Sequence, residues 1–179
     1  MRKNNPQATR EQLLQAAIAI ILERGTNNLT LENVAKKANF SKGGLLHHFP
    51  NKETLLLEII NQLTQTFNQN LQKHLEPNQS PGRWTRAYIH TTFSPDPQEQ
   101  QLTQALSSLI ISHPELLESL QDAFLFAEQN ILNDGLPAAR ATAIRLACDG
   151  LWFGEISGLI SVKEPLRSQL LEELLELAT

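Results

Sequence analysis

The stretch TLENVAKKANFSKGGLLHHFPNK, residues 30–52, decides how the rest of the chain is read. Thr30 is a residue type whose hydroxyl caps a helix by accepting from a backbone N–H within the first turn. Leu29, just before it, is spaced to pack on Val34, the apolar staple that fixes the angle at which a chain enters a helix. Asn39 stands where a left-handed residue must end that helix, and Asn is the non-glycine residue that adopts this conformation most cheaply. Ser41 restarts the chain as a second cap, with Phe40 and Leu45 as a second staple. Helix, short turn and helix in this order is the helix-turn-helix layout, whose second helix lies in the DNA major groove.

Upstream, residues 9–24 are expected to form a first helix, with Thr9 and Gln12 as a capping box and Gly25 as the stop. Leu14, Ile18, Ile21 and Leu22 fall on one stripe, to be buried against Val34, Ala35, Leu45 and Phe49. Three helices sharing so few apolar residues form a marginal core, so the unit should lean on the helix that follows. That helix is capped by Asn51 and runs towards Leu75, with Leu55, Ile59, Leu63, Phe67 and Leu71 at steps of four and Leu56 and Ile60 widening the stripe. At 1.5 Å per residue it reaches ~36 Å, long enough to join a DNA-binding unit to a separate body.

Beyond the EPNQSPG linker, residues 76–82, further helices are expected near 82–93, at 97–112 with Asp96 as cap, and at 114–133. Asn133-Asp134-Gly135 ends the last of these. An eighth helix is expected over 137–161, and Pro165 separates it from a ninth at 166–177. No segment alternates with period two for long enough to be a strand. The fold class is therefore all-α, with about nine helices, an N-terminal domain over 1–52 and a helical body over 53–179.

Composition agrees with a helix bundle: aromatics are 6% of the 179 residues, while Leu, Ala, Gln and Glu abound. No apolar run approaches the ~20 residues of a membrane helix, and the basic N-terminus lacks the apolar segment of a secretory signal. One cysteine excludes an internal disulfide framework and any Cys-based zinc site, so a cytoplasmic location and no membrane association are expected. The net charge of −4 conceals an asymmetry. Residues 1–52 carry eight basic and three acidic side chains, net +5, and the remainder carries −9. An acidic body is repelled by phosphate, so only the basic end can face a nucleic acid.

Gly150, Gly154 and Gly158 recur every four residues within the expected eighth helix. Each costs ~1 kcal/mol relative to Ala, which asks for a compensating close approach of another helix. The last helix, with Leu170 and Leu174, could pack there within one chain. Alternatively, the same face of a second copy could, building a four-helix seam at a two-fold dimer interface.

At residues 41–56, SKGGLLHHFPNKETLL, preceded by LTLENVAKKANF, the chain resembles the tetracycline-repressor (TetR) family of bacterial transcription regulators. The resemblance lies in a turn-Ser start, a short helix ending in a His-Phe run, and an Asn-Lys-Glu helix start, in that order and spacing. It covers the N-terminal third; the remainder matches only in length and helical character. Asn39 replaces the usual turn glycine, and Leu46 sits where many members carry a phosphate-contacting Tyr. The resemblance implies a ligand-responsive homodimeric repressor that binds a palindromic operator in double-stranded DNA, with a small-molecule pocket in the second domain.

The residues at the start of the second reading helix, Ser41, Lys42, Gly43 and Gly44, are those that face base edges in such motifs. Lys42 can donate to guanine or to phosphate, and the two glycines let the backbone come close. Leu46 either meets a thymine methyl or packs on the surface. His47 matches a phosphate contact on the resemblance; adjacent His47 and His48 point ~100° apart and do not converge on a metal. Lys52 at the start of the fourth helix, and Thr30 by family analogy, complete the phosphate contacts. Lys36 and Lys37 are either contacts or solvated, and Arg2, Lys3 and Arg10 could reach DNA as a flexible arm.

Candidate ligand-lining residues are Trp84, Tyr88, Phe93 and His113, together with Phe124, Phe126, Trp152 and Phe153; ordinary core packing is the competing reading of each. Asp149 either meets a cationic ligand, as Glu155 could, or pairs with Arg145 one turn earlier. No nucleophile-base pair, metal cluster or phosphate loop supports an enzyme, and no cofactor is expected. Two rivals remain: a helical adaptor that binds proteins through its acidic face, and a thiol sensor built on Cys148.

Overall fold

The computed structural model describes residues 6–95 and 97–179. Arg2, Lys3 and the expected cap Asp96 lie outside the described residues. Among the described residues there are nine α-helices and no strand: α1 (Pro6–Arg24), α2 (Leu31–Ala38), α3 (Lys42–His48), α4 (Lys52–His74), α5 (Arg83–Phe93), α6 (Pro97–Ser112), α7 (Leu116–Leu132), α8 (Ala138–Ile156) and α9 (Leu166–Leu177). A 3-10 turn, Thr26–Asn28, joins α1 to α2. No helix among the described residues is long and apolar enough to cross a membrane.

The chain divides into two compact units. The first comprises the chain up to Leu63 together with Gln101–Ser119; the second comprises Thr64–Gln100 and Leu120–Thr179. The boundaries of these contact units fall inside α4 and at the start of α6 and α7.

In the first unit the core is Leu13, Leu14, Ala17, Ile18, Ile20 and Ile21 of α1, with Leu29, Val34, Leu45, Phe49, Leu55, Leu56, Ile59 and Ile60. Leu22, expected on the buried stripe, is 41% exposed, because the apolar face of α1 is centred on Leu13, Ala17 and Ile20 instead. α1 is already helical at Pro6, so Thr9 is an interior residue and not a cap. Proline suits the first helical turn, where its missing N–H has no intrahelical partner to lose. The support that three short helices need comes from the first turns of α4 and also from α6. Leu102, Leu106 and Leu109 of α6 are essentially fully buried in this unit, and the Thr26 and Ser112 hydroxyls lie 2.8 Å apart. Each such leucine stabilises the fold by about 1.5–3 kcal/mol on burial.

The second unit packs α5 on α8 and α9 around Ala87, Tyr88, Ile89, Ile144, Cys148, Leu151 and Leu174, with Leu71 from the end of α4 and Ala127 and Ile131 from α7. The start of α5 is capped from a distance: the Asp134 carboxylate accepts from both the Thr85 backbone N–H (2.7 Å) and the Thr85 hydroxyl (2.9 Å). Gly82, at φ 81°, has no room for a side chain, since a Cβ there would lie 2.1 Å from the Ala178 carbonyl oxygen.

α8 ends at Ile156, five residues short of the expected limit. Gly158 is outside the helix at φ 72°, and the Gly158 and Leu159 amides donate back to the Glu155 and Gly154 carbonyls at 3.2 and 3.0 Å. This is a Schellman stop, which demands a left-handed residue one position past the cap. The four-residue spacing of the glycines therefore mixes two helical residues with one helix terminator.

Candidate nucleic-acid interface

The reading unit is made by three caps. Thr30 Oγ1 accepts from the Asn33 amide at 3.1 Å, Ser41 Oγ from the Gly44 amide at 3.0 Å, and Asn51 Oδ1 from the Thr54 amide at 2.8 Å. Each satisfies one of the four amides that a helix start leaves without an internal partner. Between the first two helices Asn39 adopts φ 60°, ψ 42°, and its amide bonds back to Ala35 and Lys36, so the chain turns sharply enough for Ser41 to begin α3. Leu45 and Phe49 point inward, both at 0% exposure, which fixes the opposite face of α3 outward.

That outward face carries Ser41, Lys42, Gly43, His47 and, at 38% exposure, Leu46. Gly44 is half-buried, and a Cβ there would come within 3.2 Å of the capping Ser41 hydroxyl. A Cβ on Gly43 would meet nothing within 4 Å, so nothing in the fold requires glycine at that position. Thr30 is exposed although its hydroxyl is engaged as a cap, and Lys52 is half-buried as the first residue of α4.

The basic side chains separate into two groups. Lys42 and Lys36 are exposed. Lys37 is held 2.8 Å from the Glu23 carboxylate, and this bond lowers the Glu23 pKa. Arg10 is a helical residue of α1 and not part of a flexible arm: its guanidinium is bound to Glu58, to the His48 carbonyl and to the face of Phe49. His48 is half-buried with its ring edge-on to His47, 5.5 Å between centroids. Burial, then the charges of His47 and Arg10, lower the His48 pKa below the usual imidazole value. Among the described residues no group of three or more His, Cys, Asp or Glu is placed to hold a metal ion.

The residues read as ligand-lining are dispersed. His113 belongs to the first unit, where Nδ1 lies 3.1 Å from Glu115; the others are in the second. There the aromatics meet edge-on in pairs, Trp84 with Phe126 and Phe124 with Trp152, each 6.2 Å between centroids. Phe93 is buried under the Arg167 guanidinium, and Phe153 is 53% exposed, a surface residue. Asp149 is committed within the chain: it accepts from the Tyr88 hydroxyl at 2.5 Å and lies 3.3 Å from Arg145 Nε, which is close but lacks hydrogen-bond alignment. Arg145 also bridges to Glu128 at 3.0 Å. Burial raises the Asp149 pKa against the opposing pull of Tyr88 and Arg145, and burial followed by the Asp149 charge pushes the Tyr88 phenol up. Glu155 is paired with Arg167. Cys148 is buried at 0% exposure and its thiol is pushed up to about 12 by that burial, the reverse of the low pKa a sensing thiolate needs.

Of the seam residues, Gly150 is exposed with open space above it. Gly154 is buried against Ile160 of its own chain, which would lie 2.6 Å from a Cβ there, and Gly158 terminates the helix. Leu174 is 5% exposed, inside its own core, and Leu170 packs at the edge of that core. The outward apolar residues of α8 and α9 are instead Leu146 (63%), Phe153, Leu166 (60%) and Leu177 (49%). A helix-period count could have found them by subtracting the buried Ile144, Cys148, Leu151 and Leu174 face.

Comparison with known proteins adds an independent line. Residues 13–59 match the family described as bacterial regulatory proteins, tetR family, and residues 82–179 match the tetracyclin repressor-like C-terminal domain. The chain is 30% identical over 78 residues to the HTH-type transcriptional repressor KstR2 of Mycolicibacterium smegmatis, covering 44% of this chain and 38% of that one. It spans less than two-thirds of the length of the first curated relatives it matches. Among solved structures it is similar to a putative TetR-family transcriptional regulator from Rhodococcus sp., with TM-score 0.74 and 19% identity over 96% of this chain and 100% of that one. The multidrug binding protein EbrR complexed with malachite green superposes with TM-score 0.68 and 18% identity, over 94% and 96% of the two chains. At these identities the two structures speak for a shared fold.

Proposed function

The chain belongs to the TetR family of bacterial regulatory proteins, and from that premise we propose that it is a homodimeric transcriptional repressor that releases its DNA operator when a small molecule binds. The observation that carries the reading is the outward face of α3. It bears a cation, an open glycine and a histidine on the basic end of a chain whose remainder is acidic, and Gly43 has no packing reason to be glycine. In this reading Ser41, Lys42, Gly43 and Gly44 enter the major groove, with Leu46 against base edges. Lys52, His47 and Thr30 take phosphates.

A single reader contacts too few base pairs for useful selectivity, so the operator is palindromic and two copies place their α3 helices ~34 Å apart, one helical turn of DNA. The apolar residues that α8 and α9 leave outward, with open Gly150 among them, supply the seam between copies. The effector is taken in the second unit, where the edge-on aromatic pairs lie. EbrR, with a similar fold, is described as binding malachite green, which supports an aromatic effector here. A ligand that prefers one spacing of the two α3 helices weakens operator binding by its differential affinity for the two states. The protein acts in the cytoplasm and carries no catalytic activity.

The test is fluorescence anisotropy with a duplex that the purified chain enriches from a random library, titrated over a range of salt. A regulator of this kind loses affinity steeply with salt, and Lys42→Gln shallows the slope by about one if Lys42 meets phosphate, or relaxes base preference if it meets a base. Salt-insensitive binding, or none, would leave the acidic-face adaptor as the better account.

A further inference from the structure

The Arg10 side chain, on α1, touches both the C-terminal end of α3 and the start of α4. Nη2 and Nε donate to the two oxygens of Glu58 on α4 at 2.7 and 3.2 Å. Nη1 donates to the backbone carbonyl of His48 at 3.0 Å. The guanidinium carbon lies 4.5 Å from the centroid of the Phe49 ring, which is fully buried. Planar, with five donors in a rigid fork, the guanidinium can meet all of these at once, as an ammonium cannot.

The position of these contacts is what matters. His48 is the last residue of α3, and its carbonyl is one of the four that a helix end leaves without an internal partner. Glu58 lies in the second turn of α4. Arg10 thus ties the C-terminal end of α3 to α4 through one charged plane, with Phe49 as its floor. Resting on the DNA-binding reading above, we propose that Arg10 is a positioning residue. It sets where α3 stands on α4, and hence how the α3 face enters DNA, and it makes no phosphate contact of its own.

The two roles open to Arg10 give opposite signs at Glu58. A phosphate-binding arginine competes with the Glu58 carboxylate for the same donors, so removing that charge frees the guanidinium and tightens DNA binding. A positioning arginine depends on Glu58 as its anchor, so the same change loosens it. The carboxylate itself repels DNA, which makes a loss of affinity on removing it all the more diagnostic.

The experiment compares Arg10→Lys, Arg10→Gln and Glu58→Gln by fluorescence anisotropy on two labelled duplexes: one enriched by the wild-type chain from a random library, and a scrambled duplex of equal length. Circular dichroism melts identify the folded variants, and the near-isosteric Glu58→Gln and the charge-retaining Arg10→Lys keep the comparison available if Arg10→Gln loses structure. The inference expects all folded variants to bind the enriched duplex about tenfold more weakly or worse. Binding to the scrambled duplex and the salt slope stay unchanged. It also expects the His48 imidazole, followed by NMR titration, to rise in pKa in Arg10→Gln.

Tighter binding by Glu58→Gln overturns the inference. So does a salt slope shallower by about one in Arg10→Gln, with equal losses on both duplexes. Variants that bind both duplexes as the wild type does overturn it too, while leaving the regulator reading intact. A wild-type chain with no salt-dependent binding to either duplex overturns the regulator reading itself.

Discussion

Gly43 is the residue at which fold and function pull apart. It sits one residue into α3, exposed, with nothing within 4 Å of where a Cβ would stand. Glycine in a helix is less stable than alanine because its backbone has more freedom to lose. Gly43→Ala is therefore expected to raise stability by about 0.5 kcal/mol, seen in a urea or thermal melt, while cutting affinity for the enriched duplex about tenfold by holding the backbone off the groove. Equal or tighter binding by the alanine variant would show that the backbone does not come close. Asn39 is the complementary case, legible from sequence because its left-handed φ of 60° has a local cause in the sharp turn. Arg10 was not legible: its ion-pair partner is 48 residues away, and a basic residue near a basic terminus reads equally well as a DNA arm.

At the scale of elements, several helix ends were legible from residues close by in the chain. Gly25, Asn39, the Ser41 cap and the Asn51 cap all act within a few residues. The exceptions are of two kinds: a cap that lies far along the chain, and a local stop hidden inside a periodic pattern. The α5 start is capped by Asp134, 49 residues on. The end of α8 is set by Gly158, which periodicity alone placed inside the helix. The segment after α4 is fastened by a fork: Arg86 Nε and Nη2 donate to the two Glu76 oxygens at 2.8 Å each, and Nη1 reaches the Ala178 carbonyl at 2.7 Å. The Arg86 bonds hold the Glu76 carboxyl down to about 2 despite the opposing effect of burial. A carboxyl depressed in the folded state stabilises fully above its unfolded pKa of about 4.3 and loses that contribution as pH falls towards the folded value. Thermal melts between pH 6 and pH 2 should accordingly show Glu76→Gln less stable than the wild type at pH 6, with the difference shrinking below about pH 4.5 and nearly gone by pH 2. A difference that stays constant across that range would rule out the fork as the source.

For the whole molecule, the surface left by α8 and α9 has a direct consequence. Phe153, Leu146 and Leu166 are each more than half exposed, yet they flank a face whose other residues are buried in the core. A chain that pairs through this face sediments as a dimer at micromolar concentration. Phe153→Glu, which places a charge on the seam without touching the core, should sediment as single chains with little change in secondary structure. If the wild type itself runs as a single copy, the proposed seam is lost. Within the expected body over 53–179, α6 and the start of α7 cluster by contact with the reading helices. That arrangement answers the concern that three short helices make too small a core.

The sequence by itself determined the helical class, the caps of α2, α3 and α4, the left-handed turn at Asn39 and the outward face of α3. Each rests on interactions between residues a turn or less apart, which leave a pattern in the order of side chains. Only the tertiary structure decided that Arg10 anchors α3 to α4, that α6 supports the first unit, that Leu174 faces inward, and that Asp149 is held by Tyr88 as well as Arg145. Most of these pair residues tens of positions apart. Such pairings are selected by packing and by the need to satisfy buried charge, and neither writes a periodic signature into a single chain.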